Sequence, residues 1–373
     1  MDIPQTDLDD LRLRLGETRW PDQIPGTGWS QGASLDYLKQ MVDYWRDQFD
    51  WRGQEAELNL LAHFRAEIDG LGVHFIHERG NGPNPLPLLL LHGWPDSFYR
   101  FAKVIPLLTE PARFGGDPAD AFDVIVPSLP GFGFSDAPAT GNARIAATTT
   151  LMRTLMTEVL GYPRFGAAGG DGGSPLAQAL ALAAPETVIG IHLTDIGYHN
   201  QPASTPADLS AAEQRYLAEM GQGWAENGGY LMMQGSRPQT LAYDLSDSPA
   251  ALAAWILDKF RAWSDCDGDL DRAYPKDELL TNLSLYWFTN TIGSSIRGYY
   301  EEMHDPSLPP GQPIPVPVGM ALFPKDNPPP REYAERLLRI DHWTEMPRGG
   351  HFTAWEAPEP FAQAVRDFYR PLR

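Results

Sequence analysis

The sequence GGDGGS at residues 169–174 places Asp171 between two pairs of glycines. It follows a short apolar run at residues 165–168 and precedes a helix-like run that begins at Pro175. Small residues on both sides of one polar residue, between a strand and a helix, have the spacing of a nucleophile elbow. The turn is so sharp that a Cβ on its flanking residues would meet neighbouring backbone. Because Asp171 stands where esterases carry serine, the sequence predicts attack by a carboxylate and an enzyme-bound alkyl ester.

Hydrolysis of such an ester requires a base and an acid that orients the base. In α/β hydrolases the order along the chain is nucleophile, acid, histidine. His351 fits this order, and the two glycines before it in RGGHF are typical of a tight loop. Asp326 follows an apolar run at residues 316–323 and is the acid that this order predicts. Asp341 and Glu345 fit less well, because they flank the next strand-like segment.

Both partner residues also have an ordinary structural explanation. A histidine after two glycines is often a surface-loop residue, and an aspartate before prolines often opens a turn. The elbow upstream and the order along the chain favour catalysis over these alternatives.

A second loop is expected to stabilise the negative charge that develops during ester hydrolysis. The sequence HGWP at residues 92–95 directly follows a run of leucines. In α/β hydrolases this loop and the residue after the nucleophile supply the backbone N–H groups of an oxyanion hole. We therefore expect Trp94 and Gly172 to be the two donors. The loop PGFGFS at residues 130–135 lacks the lysine of a phosphate loop, so we expect a structural loop whose Phe132, together with Trp94, contacts the substrate.

Apolar runs alternate with helical patterns along much of the chain. Continuous runs typical of strands buried on both faces occupy residues 86–91, 122–127, 165–170 and 188–193. Helix-like segments separate these runs, which indicates an α/β fold with a mostly parallel sheet.

This alternation divides the chain into four parts. Residues 1–70 form a helical, aromatic-rich arm, and residues 71–197 form the first part of the α/β core. Residues 198–310 are helical and aromatic-rich without an obvious buried strand, which predicts an inserted cap. Residues 311–373 return to the strand pattern and complete the core with a closing helix.

Composition narrows the possible partners. The formal net charge of −20 disfavours binding to nucleic acid, whose phosphates would be repelled. The single cysteine, Cys266, excludes an intrachain disulfide. The first residues lack the pattern of a signal peptide, and no apolar run is long enough to span a membrane. We therefore expect a soluble cytoplasmic protein without a membrane partner, and the sequence leaves formation of a homo-oligomer open.

No metal site is expected. The acidic run at residues 265–271 has its glycine, Gly268, at the fourth rather than the sixth position of a calcium loop, and Lys276 replaces the glutamate at position twelve. The nine histidines form neither an HExxH motif nor a Cys/His cluster. The predicted carboxylate chemistry also requires no cofactor.

Taken together, the motifs resemble those of the epoxide hydrolase family of the α/β-hydrolase fold, of the microsomal and juvenile-hormone type. The matching segments span nearly the whole chain and are RWP at 19–21, IDGL and VHF within 68–75, HGWP at 92–95, PGFGFS at 130–135, GGD at 169–171 and RGGHF at 348–352. The resemblance implies cofactor-free hydrolysis of a small apolar epoxide by water to give a vicinal diol. Animal members carry an N-terminal membrane anchor, which we do not expect in this chain.

The resemblance also implies two tyrosines in the cap that bind and protonate the epoxide oxygen. Tyr230, in the sequence NGGY, and Tyr299, in SSIRGY, match these positions, and Tyr300 is an adjacent alternative. An alkoxide is a poor leaving group, so two phenol donors opposite the nucleophile lower the barrier to ring opening. Without the resemblance, tyrosines in a helical cap would be interpreted as packing residues.

One departure from the family concerns the residue after the nucleophile, which is usually tryptophan or another bulky residue and here is Gly172. The backbone N–H is retained, but the pocket should be wider. Glycine here also argues against a haloalkane dehalogenase, in which a tryptophan at this position binds halide. A dehalogenase with the same Asp-His-acid set and a non-catalytic binding protein of this fold remain the alternatives.

Overall fold

The computed structural model describes residues 1–139, 145–197, 206–306 and 312–373. Within these ranges the strands form one eight-stranded sheet with the order β1-β2-β4-β3-β5-β6-β7-β8. The strands are β1 (His63–Ile68), β2 (Leu71–Glu78), β3 (Leu86–Leu91), β4 (Phe122–Pro127), β5 (Phe165–Gly169), β6 (Val188–Leu193), β7 (Val318–Leu322) and β8 (His342–Glu345). The β1–β2 and β2–β4 pairs are antiparallel, and all other pairs are parallel. This arrangement confirms the predicted fold class.

Sixteen α-helices are described in these ranges. They are α1 (Gln5–Gly16), α2 (Leu35–Asp47), α3 (Trp51–Leu58), α4 (Val104–Thr109), α5 (Ile145–Thr154), α6 (Gly173–Ala183), α7 (Ala211–Asn227), α8 (Gly229–Ser236), α9 (Pro238–Asp247), α10 (Pro249–Trp263), α11 (Leu270–Ala273), α12 (Lys276–Thr289), α13 (Ile292–His304), α14 (Arg331–Glu335), α15 (Thr353–Glu356) and α16 (Pro358–Tyr369). A π-helical turn at Leu155–Val159 follows α5, and short 3₁₀ turns occupy Phe98–Phe101, Pro111–Phe114, Pro118–Asp120 and Arg370–Leu372.

The sheet is covered on both faces, as continuous apolar strands require. In β3, Leu88 and Leu90 join one buried cluster, while Leu89 and Leu91 join a second. Because successive side chains of a strand point to opposite faces, these clusters lie on opposite sides of the sheet. Helices α4 and α16 pack on the first side, and α5 and α6 pack on the second.

The sheet begins with an edge strand near the end of the first part of the chain. Strand β1 pairs with β2 along its whole length, yet it lies within residues 1–70, the range that we assigned to the helical arm. Its sequence, HFRAEI, is mixed and half-exposed because β1 is an edge strand, so it lacks the apolar run of a central strand.

Helices α7–α13 form an insertion between β6 and β7, and the helices of the arm pack against it. The indole N–H of Trp45 in α2 donates to Ser284 Oγ in α12 over 3.0 Å in a buried contact. Two of the insertion helices begin at side chains that cap their N-termini. Ser210 and Glu213 form a capping box on α7, and Ser248 caps α10 just before the proline that begins this helix. The arm therefore contacts the insertion, and the insertion contacts the loop after β3, where Asn282 donates to the carbonyl of Pro95 over 2.9 Å.

Candidate active site

Asp171 occupies a sharp turn between β5 and α6, with a left-handed φ of 54°. An added Cβ on Gly169 would overlap the carbonyl of Gly173, and one on Gly173 would overlap the carbonyl of Leu91. The flanking glycines are thus required by close backbone approach, as the elbow spacing predicted. Gly172 differs from them, since its φ is −58° and an added Cβ would have Gly93 Cα as its nearest neighbour at 3.6 Å.

Two backbone N–H groups converge on one oxygen of the Asp171 carboxylate. The N–H of Trp94 donates to Oδ1 over 2.8 Å, and the N–H of Gly172 donates to the same atom over 2.6 Å. The structure therefore brings together the two donors that the sequence predicted. The second oxygen, Oδ2, is left to face the histidine.

His351 lies between two carboxylates. Its Nε2 is 3.2 Å from Asp171 Oδ2, and its Nδ1 is 2.9 Å from Asp326 Oδ1. Burial alone would lower the pKa of His351, but the charge of Asp326 and the hydrogen bond and charge of Asp171 raise this pKa well above its ordinary value. Burial alone would raise the pKa of Asp171, but the hydrogen bond and charge of His351 and the two backbone donors hold that pKa below its ordinary value. Both shifts favour an ionised Asp171 beside a protonated His351.

Glu356, which the sequence analysis missed, positions the histidine loop. Its Oε2 accepts from the N–H of Gly350 over 3.0 Å, and its Oε1 accepts from the N–H of Phe352 over 2.9 Å. A Cβ on Gly349, whose φ is 109°, would press on a phenylalanine ring, which explains one glycine of RGGHF. No short motif signals Glu356, because it acts only after the loop folds back on α15.

A buried ion pair, also missed, connects the oxyanion loop to the histidine loop. Asp96 accepts from the N–H of Gly93 over 3.0 Å and from Arg100 Nη1 over 2.7 Å. Arg100 Nη2 in turn donates to the carbonyl of His351 over 2.7 Å. Both side chains are 1% exposed. An i,i+4 pair of opposite charges is also common on exposed helices, so this spacing by itself does not indicate a buried role.

Asp195 is a third residue that the sequence analysis did not single out. Its Oδ2 accepts from the backbone N–H of Asp171 over 2.8 Å, and its Oδ1 accepts from the N–H of Gly197 over 2.7 Å. Burial first, and then the charges of Asp326 and Asp171, raise the pKa of Asp195 to about 6. The available signal was its position just after β6, at the end of the sheet where parallel α/β folds bind ligands.

The predicted tyrosines meet on the insertion side of Asp171. The rings of Tyr230 and Tyr299 are 6.1 Å apart, and both contact Trp94, with ring centroids 5.7 Å and 5.9 Å from its ring. Burial, and then the charge of Asp171, raise the pKa of Tyr230, so its hydroxyl keeps its proton and can donate. Tyr300 is 40% exposed and stacks on His304 with centroids 4.0 Å apart, which places it away from this group.

Two cavities reach Asp171. The larger, about 360 Å³, is lined by Asp171, Tyr230, Asp326 and His351, together with Trp224 and Trp263. The smaller, about 110 Å³, is lined by Asp171, Trp94, Phe132, Gly172 and Tyr299 among others. The residues predicted to contact substrate, Trp94, Phe132, Tyr230 and Tyr299, thus all line one of these two spaces.

Neither a metal-ion site nor a membrane-spanning helix occurs within the residues that the structure describes. No group of His, Cys, Asp and Glu side chains among them is arranged to hold a metal ion. Within the same ranges, no helix combines the length and the apolar character that crossing a membrane would require.

Comparison with known families gives two matches that overlap along the chain. Residues 1–101 match the family described as the epoxide hydrolase N terminus, and residues 87–228 match the alpha/beta hydrolase fold.

Similar proteins span the whole chain. A Stigmatella aurantiaca protein that carries an epoxide hydrolase name is 44% identical over 100% of this chain and 84% of its own length. Epoxide hydrolase 1 of Sus scrofa is 34% identical over 97% of this chain and 86% of its own length.

Among solved structures, juvenile hormone epoxide hydrolase of Bombyx mori matches with a TM-score of 0.91 at 30% identity, covering 100% of this chain and 93% of that one. Aspergillus niger epoxide hydrolase matches with a TM-score of 0.86 at 29% identity, covering 100% and 95%.

Proposed function

This chain belongs to the epoxide hydrolase family of the α/β-hydrolase fold, and we propose that it converts an epoxide to a vicinal diol through an ester on Asp171. The observation that carries this mechanism is the different environment of the two carboxylate oxygens. Oδ1 accepts two backbone hydrogen bonds, of 2.8 Å and 2.6 Å, whereas Oδ2 faces His351 Nε2 at 3.2 Å. One oxygen is therefore held where an ester carbonyl needs donors, and the other is free to attack.

In the first step Tyr230 and Tyr299 bind the epoxide oxygen, and Asp171 Oδ2 attacks a ring carbon from the opposite side. The new bond joins Oδ2 to carbon, and the carbon–oxygen bond of the epoxide breaks. A tyrosine O–H gives its proton to the departing oxygen, which becomes the first hydroxyl of the diol. The two hydroxyls are suited to this role because their rings lie 6.1 Å apart beside Asp171.

Ester formation then converts His351 into a base. Asp171 loses its negative charge, so one of the two carboxylates that raise the pKa of His351 is removed. The proton that His351 releases balances the proton that the tyrosine gave up. The base thus becomes available when the intermediate has formed.

In the second step neutral His351, oriented by Asp326, takes a proton from water. The hydroxide adds to Cγ of Asp171, and the charge on Oδ1 is stabilised by the N–H groups of Trp94 and Gly172. Collapse of this adduct breaks the bond between Cγ and Oδ2, so Oδ2 stays on the substrate carbon as the second diol oxygen, which His351 protonates as it leaves, while the oxygen from water remains on Asp171. Regenerated Asp171 then ionises for the next cycle.

Single turnover in ¹⁸O-water tests the covalent step. With enzyme in excess over styrene oxide, we expect the first diol to be unlabelled, because its new oxygen comes from Asp171. Label should then appear in the Asp171 carboxylate, measured by mass spectrometry of the digested protein. A labelled diol in the first turnover would contradict the ester mechanism and indicate direct attack by water.

His351→Gln provides the complementary measurement. This variant keeps Asp171 and both tyrosines, so ring opening should proceed while ester hydrolysis stalls. We expect an adduct of one substrate mass on the peptide that contains Asp171. The matched control is His351→Gln combined with Asp171→Asn, which should form no adduct.

We also propose how the parts of the chain divide this work. Residues 71–197 and 311–373 would supply the nucleophile, the acid and the base, and residues 198–310 would act as a cap that carries both tyrosines. The apolar walls of the cavities support a small apolar epoxide as substrate. We further propose a cytoplasmic location, which the single buried Cys266 and the absence of disulfides suit.

A further inference from the structure

We infer that this enzyme acts on epoxides with a substituent on each ring carbon, one long and one short, and that Gly172 leaves the space for the short one. The inference rests on the proposed function, since it assumes that the epoxide carbon meets Asp171 and that the epoxide oxygen meets both tyrosines. It concerns the class of substrate rather than the mechanism.

The two cavities meet at the reacting atoms. Asp171 lines both, but Tyr230 lines the larger and Tyr299 lines the smaller. An epoxide oxygen held between these two hydroxyls, with a carbon at Asp171, must lie at the junction of the two spaces. Its two carbons can then direct their substituents into different cavities.

The smaller cavity suits a short alkyl group. Its walls include the apolar side chains of Leu129, Phe132, Ile145 and Leu176, and its volume is about 110 Å³. An apolar protein cavity of about 150 Å³ holds a benzene ring. The space is therefore below the size of a phenyl group and fits a chain of a few carbons.

The larger cavity suits a longer group. Its volume of about 360 Å³ lies within the range of small-molecule pockets, and Tyr216, Trp224 and Trp263 give it aromatic walls. Charged side chains of both signs, among them Asp195, Glu219 and Lys325, also line it.

Gly172 is the residue that keeps the smaller cavity open. Its φ of −58° is available to every amino acid, and an added Cβ would meet no atom closer than Gly93 Cα at 3.6 Å. The neighbouring glycines, Gly169 and Gly173, are required by backbone contacts, but Gly172 is not. The fold could therefore accommodate a larger residue at position 172. Its side chain would occupy space beside Asp171 that glycine leaves to the substrate.

The test compares two epoxides of equal chain length, 1,2-epoxyoctane and cis-2,3-epoxyoctane, in wild type and variants. The quantity is the ratio of kcat/KM for the disubstituted epoxide to kcat/KM for the terminal one. We expect Gly172→Leu to lower this ratio by about tenfold or more, because removing room for a methyl group is worth about 10–200-fold. Using a ratio cancels any general effect of the substitution on the adjacent oxyanion N–H.

A second variant fills the same cavity from its far wall. Thr148 lines the cavity from helix α5 and is buried, so Thr148→Phe should lower the ratio in the same way without touching the elbow. Thr150 lies on the same helix but is exposed, and Thr150→Phe should keep the wild-type ratio. Melting temperatures verify that each variant is folded.

The outcomes separate the two proposals. Wild-type diol formation from both epoxides, with a ratio that falls in Gly172→Leu and Thr148→Phe, supports the inference. Diol from 1,2-epoxyoctane alone, or a ratio unchanged in both cavity variants, overturns the inference and leaves the proposed function intact. Failure of ester trapping in His351→Gln with 1,2-epoxyoctane would instead overturn the proposed function.

Discussion

The charge of Asp171 controls how strongly His351 holds its proton. In the free site the imidazole contacts carboxylates at both nitrogens, at 3.2 Å and 2.9 Å, and its pKa is raised well above the ordinary value. A histidine with so high a pKa is a poor base at neutral pH. In the proposed mechanism the nucleophile is itself one of the two carboxylates, so its esterification would remove part of the charge that holds the proton.

Asp171→Asn imitates the neutral ester and tests this coupling. We expect the substitution to lower the pKa of His351 by about 1–3 pH units, the usual effect of one adjacent opposite charge. The measurement is an NMR titration of ¹⁵N-labelled histidines, with His351 assigned by its loss in His351→Gln. The exposed Asp271→Asn serves as control and should leave this pKa unchanged. An unchanged pKa in Asp171→Asn would show that Asp326 alone sets the basicity.

The same pKa links the site to stability. A pKa raised in the folded state adds stability that is complete below the unfolded value, about 6.5, and is lost as pH rises through the folded pKa. Between about pH 6.5 and the folded pKa of His351, the free energy of unfolding should therefore fall less with rising pH in Asp171→Asn than in the wild type. In the resting site Asp171 is therefore a stabilising partner of His351.

At the scale of elements, three separate loops must hold their positions to within a fraction of an ångström for this chemistry. The buried Arg100 connects two of them, since it pairs with Asp96 below the oxyanion loop and donates to the carbonyl of His351. Asp195 supports the third by accepting the backbone N–H of Asp171. Each of these residues acts on the backbone of a neighbouring loop and is a positioning residue in the proposed mechanism.

Arg100→Met should destabilise the protein strongly, because it leaves Asp96 as a buried, unpaired carboxylate. Breaking such a pair typically costs about 3–5 kcal/mol in free energy of unfolding, measured by chemical denaturation. Arg331→Met removes an exposed i,i+4 pair with Glu335 and should cost less than about 0.5 kcal/mol. Equal losses in the two variants would mean that the buried pair does not hold the loops together.

Local patterns explain which features the sequence could predict. The elbow and the central strands could be predicted because residues close together in the chain determine them. Gly169 and Gly173 belong to one tight turn, and β3, β4 and β6 coincide with the apolar runs that predicted them. The edge strand β1 has no such apolar run, because its residues are half-exposed.

Arg100, Asp195 and Glu356 could not be found in the same way. Arg100 and Asp195 bind backbone groups of loops that are distant in the chain, the carbonyl of His351 and the N–H of Asp171. The sheet topology sets these distances, and only the position of Asp195 after β6 gave a signal. Glu356 binds the nearby N–H groups of Gly350 and Phe352, but no short motif marks this loop geometry.

At the scale of the whole molecule, a continuous chain of contacts runs from the N-terminal arm to the oxyanion loop. Trp45 of α2 donates to Ser284 of α12 over 3.0 Å. On the same helix, Asn282 donates to the carbonyl of Pro95 over 2.9 Å, and Tyr286 donates to the carbonyl of Asp96 over 2.7 Å. The arm thus packs on α12, and α12 holds the backbone beside Trp94. We therefore expect the arm, the insertion and the core to unfold as one cooperative unit.

Trp45→Ala tests whether these parts unfold together. Truncating a buried tryptophan costs about 3–5 kcal/mol, whereas Trp45→Phe should cost less, because it keeps most of the apolar contact and loses the bond to Ser284. If the three parts are one unit, Trp45→Ala should lower the midpoint of a single transition seen alike by circular dichroism and by loss of epoxide hydrolysis. A separate early transition of the arm, with hydrolysis retained beyond it, would show that the arm is dispensable to the site. The shared transition is expected because the buried contacts of α12 leave no boundary at which the arm and insertion could separate from the oxyanion loop.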